Sequence, residues 1–184
     1  MNFVALLRGI NVGGKNKVPM AGLKACIEEL RCRNVKTYIA SGNVVFESTK
    51  GAARLAVEIQ NALSKNFKLD SEIITTLVLS RAQLEKVIRQ APKGFGSEPG
   101  KYHSDVIFLI GIPPAEAFKT FTPKEGVDKV WKGDLAIYSQ RLSAQRTKSR
   151  LSKIMSSPLY KKMTIRTWTT TVKLLELMDF TNED

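Results

Sequence analysis

One order of elements, written twice, constrains this chain more than any other feature. An apolar stretch, Phe3 to Arg8, reads as a strand bounded by glycine. Pro19 suits the first turn of a helix that runs to about Arg31, with Met20, Leu23, Ile27 and Leu30 at helical spacing. Val35 to Ala40 is rich in β-branched and aromatic residues. Ser41-Gly42-Asn43 turns it, and Val44 to Glu47 returns as a hairpin partner. A helix follows from Thr49-Lys50-Gly51 to about Asn66, with Leu55, Ile59, Ala62 and Leu63 on one side; then comes a strand, Glu72 to Leu79. The second pass has strand Asp105 to Ile110, helix Pro114 to Phe121, hairpin Val127 to Trp131 and Leu135 to Ser139, helix Thr147 to Met155, and strand Thr164 to Trp168. No sequence identity links the passes.

This βαββαβ order is the split βαβ, or ferredoxin-like, arrangement. The expected fold class is therefore α+β, with two tandem ferredoxin-like halves and antiparallel sheets. The expected boundaries are 1–79 for the first half, 80–101 for a linker helix and loop, and 102–184 for the second half, which ends in a helix over Thr170 to Met178. Ser80 should cap the linker helix, and the Pro- and Gly-rich Ala91 to Lys101 should be loop. Right-handed crossovers then set the geometry of each half. In the first, the loops Gly9 to Lys17, Ser41 to Asn43 and Lys65 to Leu69 should meet at one end of the sheet.

The first of those loops suggests chemistry. Arg8-Gly9-Ile10-Asn11-Val12-Gly13-Gly14-Lys15-Asn16-Lys17 joins glycines to three cations. Glycines let backbone N–H groups turn towards a ligand, and cations favour an anion. Gly9 to Asn16 also spells G-x-x-x-x-G-K-N, one residue from a nucleotide-binding phosphate loop. Asn16 stands where that loop needs a hydroxyl for Mg²⁺, and no mostly parallel sheet is foreseen, so a triphosphatase is disfavoured. Arg8, Gly9, Asn11, Gly13, Gly14, Lys15 and Lys17 are the expected anion ligands, with Ser41 and Asn43 adding polar contacts. Gly42 and Asn43 first of all suit a tight turn.

The net charge of +12 points to a polyanionic partner or a solvated basic face. Its densest part holds Arg141, Arg146, Lys148, Arg150, Lys153, Lys161, Lys162 and Arg166, interleaved with Tyr138, Tyr160 and Trp168. Cations neutralise phosphates and aromatic faces stack on bases. Arg146, Lys148, Arg150 and Arg166 complete the expected ligand set. The aromatic signature of RNA-recognition modules is absent from both halves.

His103 lacks Cys or His neighbours at ligand spacing, so no metal and no cofactor are expected. Beside Ser104-Asp105 it makes no catalytic triad. Cys26 and Cys32, on opposite faces of one predicted helix, read as free thiols of a cytoplasmic protein. The amino-terminal run has neither a positive n-region nor a cleavage site, and no stretch is long enough for a membrane span.

Leu6 to Lys17, LLRGINVGGKNK, and Tyr38 to Phe46, YIASGNVVF, resemble a bacterial family catalogued as domain of unknown function 1697. Lys148-Ser149-Arg150-Leu151 and Thr164 to Trp168 extend the resemblance more weakly; Thr167 and Thr169 stand where members often carry asparagine. The resemblance implies a compact α+β protein with two ferredoxin-like halves. It implies no activity, cofactor or catalytic residue. The leading expectation is a module binding nucleic acid or a phosphate-bearing small molecule. The alternatives are an enzyme acting on an anionic substrate in a cleft between the halves, and a protein-interaction module.

Overall fold

A computed structural model describes residues 1–179 of the 184-residue chain. Its elements run β1 (Asn2–Leu7), α1 (Met20–Glu28), β2 (Arg33–Tyr38), β3 (Asn43–Glu47), α2 (Ala52–Asn66), β4 (Thr76–Ser80) and α3 (Arg81–Arg89). They continue β5 (Tyr102–Leu109), α4 (Pro114–Phe118), β6 (Asp128–Lys132), β7 (Ala136–Leu142), three consecutive 3₁₀ turns, β8 (Met163–Thr167) and α5 (Trp168–Leu177). Two four-stranded antiparallel sheets result, ordered β2-β3-β1-β4 and β6-β7-β5-β8. The repeated ferredoxin-like order is present in both.

The chain divides into two compact units, Met1–Leu84 with the chain from Leu174, and Glu85–Lys173. This differs from the expected boundaries at 79 and 101. The division falls inside α3. The start of α3 is capped reciprocally: Gln83 N donates to Ser80 Oγ, and Ser80 N to Gln83 Oε1. From Val87 onward the segment packs on the second sheet. Tyr138 Oη donates to Val87 O at 2.6 Å, and Phe95 sits edge-on to Trp131, Tyr138 and Trp168. At the other end, Met178 O accepts from Asn2 Nδ2, and Arg81 pairs with Asp179. The expected second half extended to Asp184; residues 180–184 lie outside the described residues.

In the first unit, alternation along the strands sends Phe3, Ala5, Leu7, Val44, Phe46 and Val78 to one face. Leu55, Ile59 and Leu63 of α2 and Leu23 and Ile27 of α1 cover that face. Val4 and Leu6, on the opposite face of β1, are also fully buried. Burial on both sides is why β1 reads as an unbroken apolar run. Helix α1 stops at Glu28, so Cys32 lies beyond it and not on one helix with Cys26 as expected; Arg31 enters the left-handed region with φ 64°. Both thiols are buried and free.

The expected helix Thr147 to Met155 is replaced by 3₁₀ turns at Ser143–Lys148, Leu151–Ser156 and Pro158–Lys162. Serine is the cause. Ser149 and Ser157 adopt extended backbone, and their hydroxyls accept from Leu151 N and Leu159 N, restarting the chain each time. Pro158 reinforces the second break. Leu151 and Ile154, three apart, still reach the core with Ile107, Ile112, Ile137 and Met163.

Candidate functional site: a glycine turn and a basic 3₁₀ segment

The expected convergence of loops is present in the first unit. Leu7 N donates to Gly42 O and Arg8 N to Thr75 O, while Asn11 Nδ2 reaches Ala40 O. The third loop meets the first through Asp70 and Ser71, slightly later than Lys65 to Leu69. Asn16 clasps it there: its Oδ1 accepts from the amides of Asp70 and Ser71, and its Nδ2 donates to Gly9 O and Ser71 Oγ. Its own amide donates to Asp70 Oδ2 at 2.6 Å. Asn16 is thus a buried structural clasp.

Between Asn11 and Asn16 the chain makes a miniature hairpin. Asn11 N donates to Asn16 O and Lys15 N to Val12 O, closing a four-residue turn. Its central residues, Gly13 and Gly14, have φ 59° and 76°, the signs that a type I′ turn demands. Among the described residues, neither glycine amide has an acceptor, and both glycines are exposed. Lys15 and Lys17 are exposed and have no ion pair among the described residues.

Other expected ligands of this unit are used by the fold. Asn11 spends its side chain on Val18 O, Ala40 O and Val18 N. Asn43 is fully buried and donates to Tyr38 O and Ser41 Oγ, so Ser41 serves the same turn. Arg8 is half-buried and has a further interaction in the structure, so it is not a spare charge. Gly42 has φ 80°, and a Cβ there would fall 2.8 Å from Leu7 Cβ. The Ser41-Gly42-Asn43 stretch of the sequence is turn chemistry.

In the second unit the 3₁₀ segment exposes Arg146, Lys148, Arg150, Lys153, Lys161 and Lys162. No Asp or Glu occurs between Asp134 and Glu176, and none of these six has an ion pair among the described residues. The segment is anchored from below, since Asp128 Oδ2 accepts from the amides of Lys124 and Arg150. Arg166 departs from expectation. It is 7% exposed, and its Nη1 donates to Thr164 Oγ1 and Ile165 O. Burial lowers its guanidinium to about 10, still charged at neutral pH. Tyr138 is fully buried, and Trp168 packs edge-on to Phe95, so neither is a stacking platform. Burial also raises the Tyr138 phenol to about 12.

Sequence reasoning missed a cavity of about 220 Å³ beneath the 3₁₀ turns, wholly within the second unit. Apolar side chains wall it, among them Ile107, Phe121, Ile154 and Ile165, with Tyr160 at its side. Asp105, Ser139, Arg141 and Ser152 are its polar lining. Asp105 Oδ1 lies 3.0 Å from His103 Nε2, and Oδ2 lies 3.7 Å from Arg141 Nη1. Burial raises the Asp105 carboxyl above its ordinary value, against the opposing pull of His103 and Arg141. The signal was present in Asp105-Val106-Ile107: alternation puts Asp105 on the face of core residue Ile107.

Among the described residues no group of three or more His, Cys, Asp or Glu could hold a metal ion, and no helix is long and apolar enough to cross a membrane. Fold and surface together define an α+β protein of two ferredoxin-like units whose exposed loop and 3₁₀ cations have no ion pair among the described residues. The chain belongs to a family described as protein of unknown function, DUF1697, whose model matches residues 1–138. It is similar in structure to the conserved bacterial protein SP0830 from Streptococcus pneumoniae, at 26% identity and a TM-score of 0.82, over 97% of this chain and 98% of that one. No curated protein matches the chain.

Proposed function

We propose that this protein binds a phosphate-bearing polyanion, a nucleic acid strand, through the basic 3₁₀ segment, with the Gly13-Gly14 turn as a smaller anion contact. The observation that carries this reading is the set of six exposed cations, Arg146 to Lys162, in a stretch without one acidic residue. Cations on a solvated structural face usually alternate with acids that pair them, as Lys50 and Arg54 do with Glu58 in the first unit. Here none of the six has an ion pair among the described residues. Sheet-face stacking is a poor alternative, because Phe95 covers the face that carries Trp131 and Tyr138. Buried free thiols suit a reducing cytoplasm.

The test is a salt titration of a fluorescein-labelled single-stranded RNA. If the six cations each meet a phosphate, log K falls against log salt with a slope of about −4, using ~0.7 per phosphate for single strands. A flat salt dependence, or no binding to RNA or DNA at low salt, overturns the reading.

A further inference from the structure

The 3₁₀ turns have two sides. Arg150 and Lys153 are exposed, while Leu151 and Ile154, interleaved with them, are buried and line the cavity. A ligand entering there would meet phosphate-binding charge outside and apolar walls inside. The polar lining adds a carboxylate acceptor, Asp105, and a guanidinium donor, Arg141, with their closest charged atoms 3.7 Å apart. The two form an ion pair, and Asp105 Oδ1 also lies 3.0 Å from His103 Nε2, so it is their remaining acceptor and donor capacity that a heterocycle edge would meet.

We infer that the cavity receives a single unstacked nucleobase whose phosphates lie on Arg150, Lys153 and their neighbours. The inference rests on the polyanion reading above and names what its basic segment is built around. Bases taken out of a stack are held by apolar and aromatic walls and read by hydrogen bonds along an edge. Ile154 and Ile165 supply walls, and Phe121 and Tyr160 supply rings. Guanine fits the polar lining best. Its N1–H and N2 amine donate to a carboxylate, and its O6 and N7 accept from a guanidinium. Uracil offers one donor between two acceptors and fits less well. Duplexes, whose bases stay stacked, meet only the cations.

The experiment uses the full chain with four probes: a 12-nucleotide single-stranded RNA containing guanines, the same length with uracil in their place, the same length of duplex, and guanosine monophosphate. Ile154→Trp fills the cavity without touching a cation. It should weaken single-strand binding about tenfold while leaving the salt slope and duplex binding unchanged, since each stacked base contributes roughly 1–3 kcal/mol. The same loss seen on guanosine monophosphate assigns the cavity to a free nucleotide and supports the base site equally. Asp105→Asn keeps the side-chain shape and should erase the preference for guanine over uracil. Full single-strand affinity in a folded Ile154→Trp protein overturns the inference, and a steep salt slope in that case leaves the polyanion reading standing. If Ile154→Trp fails to fold, Asp105→Asn decides alone, and an unchanged base preference overturns the inference. Absence of any salt-dependent binding sinks both.

Discussion

Asn16 shows how a motif position can be read for chemistry and serve the fold. Its amide and carbonyl satisfy Gly9, Asp70 and Ser71 while the residue itself is buried. Asn16→Ala leaves two backbone donors without their acceptor, so urea unfolding should show a loss of roughly 2–4 kcal/mol. Asp105 carries the opposite sign. Its folded carboxyl titrates above the ordinary value, so the native state holds a proton more tightly than the unfolded chain. Stability therefore falls as pH rises from the ordinary value through the folded one, and the full cost is present above both. Asp105→Asn should melt at a higher temperature than the parent at pH 7, with the difference disappearing at a pH below the ordinary carboxyl value. Calorimetry across that range reads the sign directly. Sequence showed the glycines and cations of this region plainly. It could not show that the Asn11 and Asn43 side chains are bonded to the fold's own backbone, because a polar side chain in a loop serves backbone and ligand equally well until the loop's partners are known.

At the scale of elements, side-chain spacing and turn residues identified every strand and the helices α1 to α5, α4 being shorter than expected. The stretch 143–162 defeated them. Leu151 and Ile154 suit an α-helix or a 3₁₀ turn alike, and the outcome was decided by serine hydroxyls competing for backbone amides. That segment depends on Asp128 for its seat. Asp128→Ala removes the acceptor shared by Lys124 N and Arg150 N and should cost about 2–4 kcal/mol. It should also speed amide exchange at Arg150 ahead of exchange in the first unit. Replacing Arg146, Lys148, Arg150 and Lys153 by Gln should leave the melting temperature nearly unchanged. The same change should reduce the magnitude of the salt slope by about 3 on single-stranded RNA.

For the whole molecule, both thiols are buried, and burial raises both above the ordinary cysteine value. Native protein should react slowly with a disulfide reagent at pH 8, and both cysteines should label at once in urea, which a stopped-flow absorbance trace would record. The chain by itself determined the repeated order of strands, the apolar faces, the glycine-rich loop Gly9 to Lys17 and the excess of positive charge. These are local properties, set by side-chain spacing, backbone sterics and composition. Only the tertiary structure decided where the units divide inside α3, which polar side chains the fold consumes, and that a partly buried carboxylate and guanidinium line a cavity under the basic turns. Those outcomes depend on which residues distant in sequence come within hydrogen-bonding reach, and no periodicity encodes that.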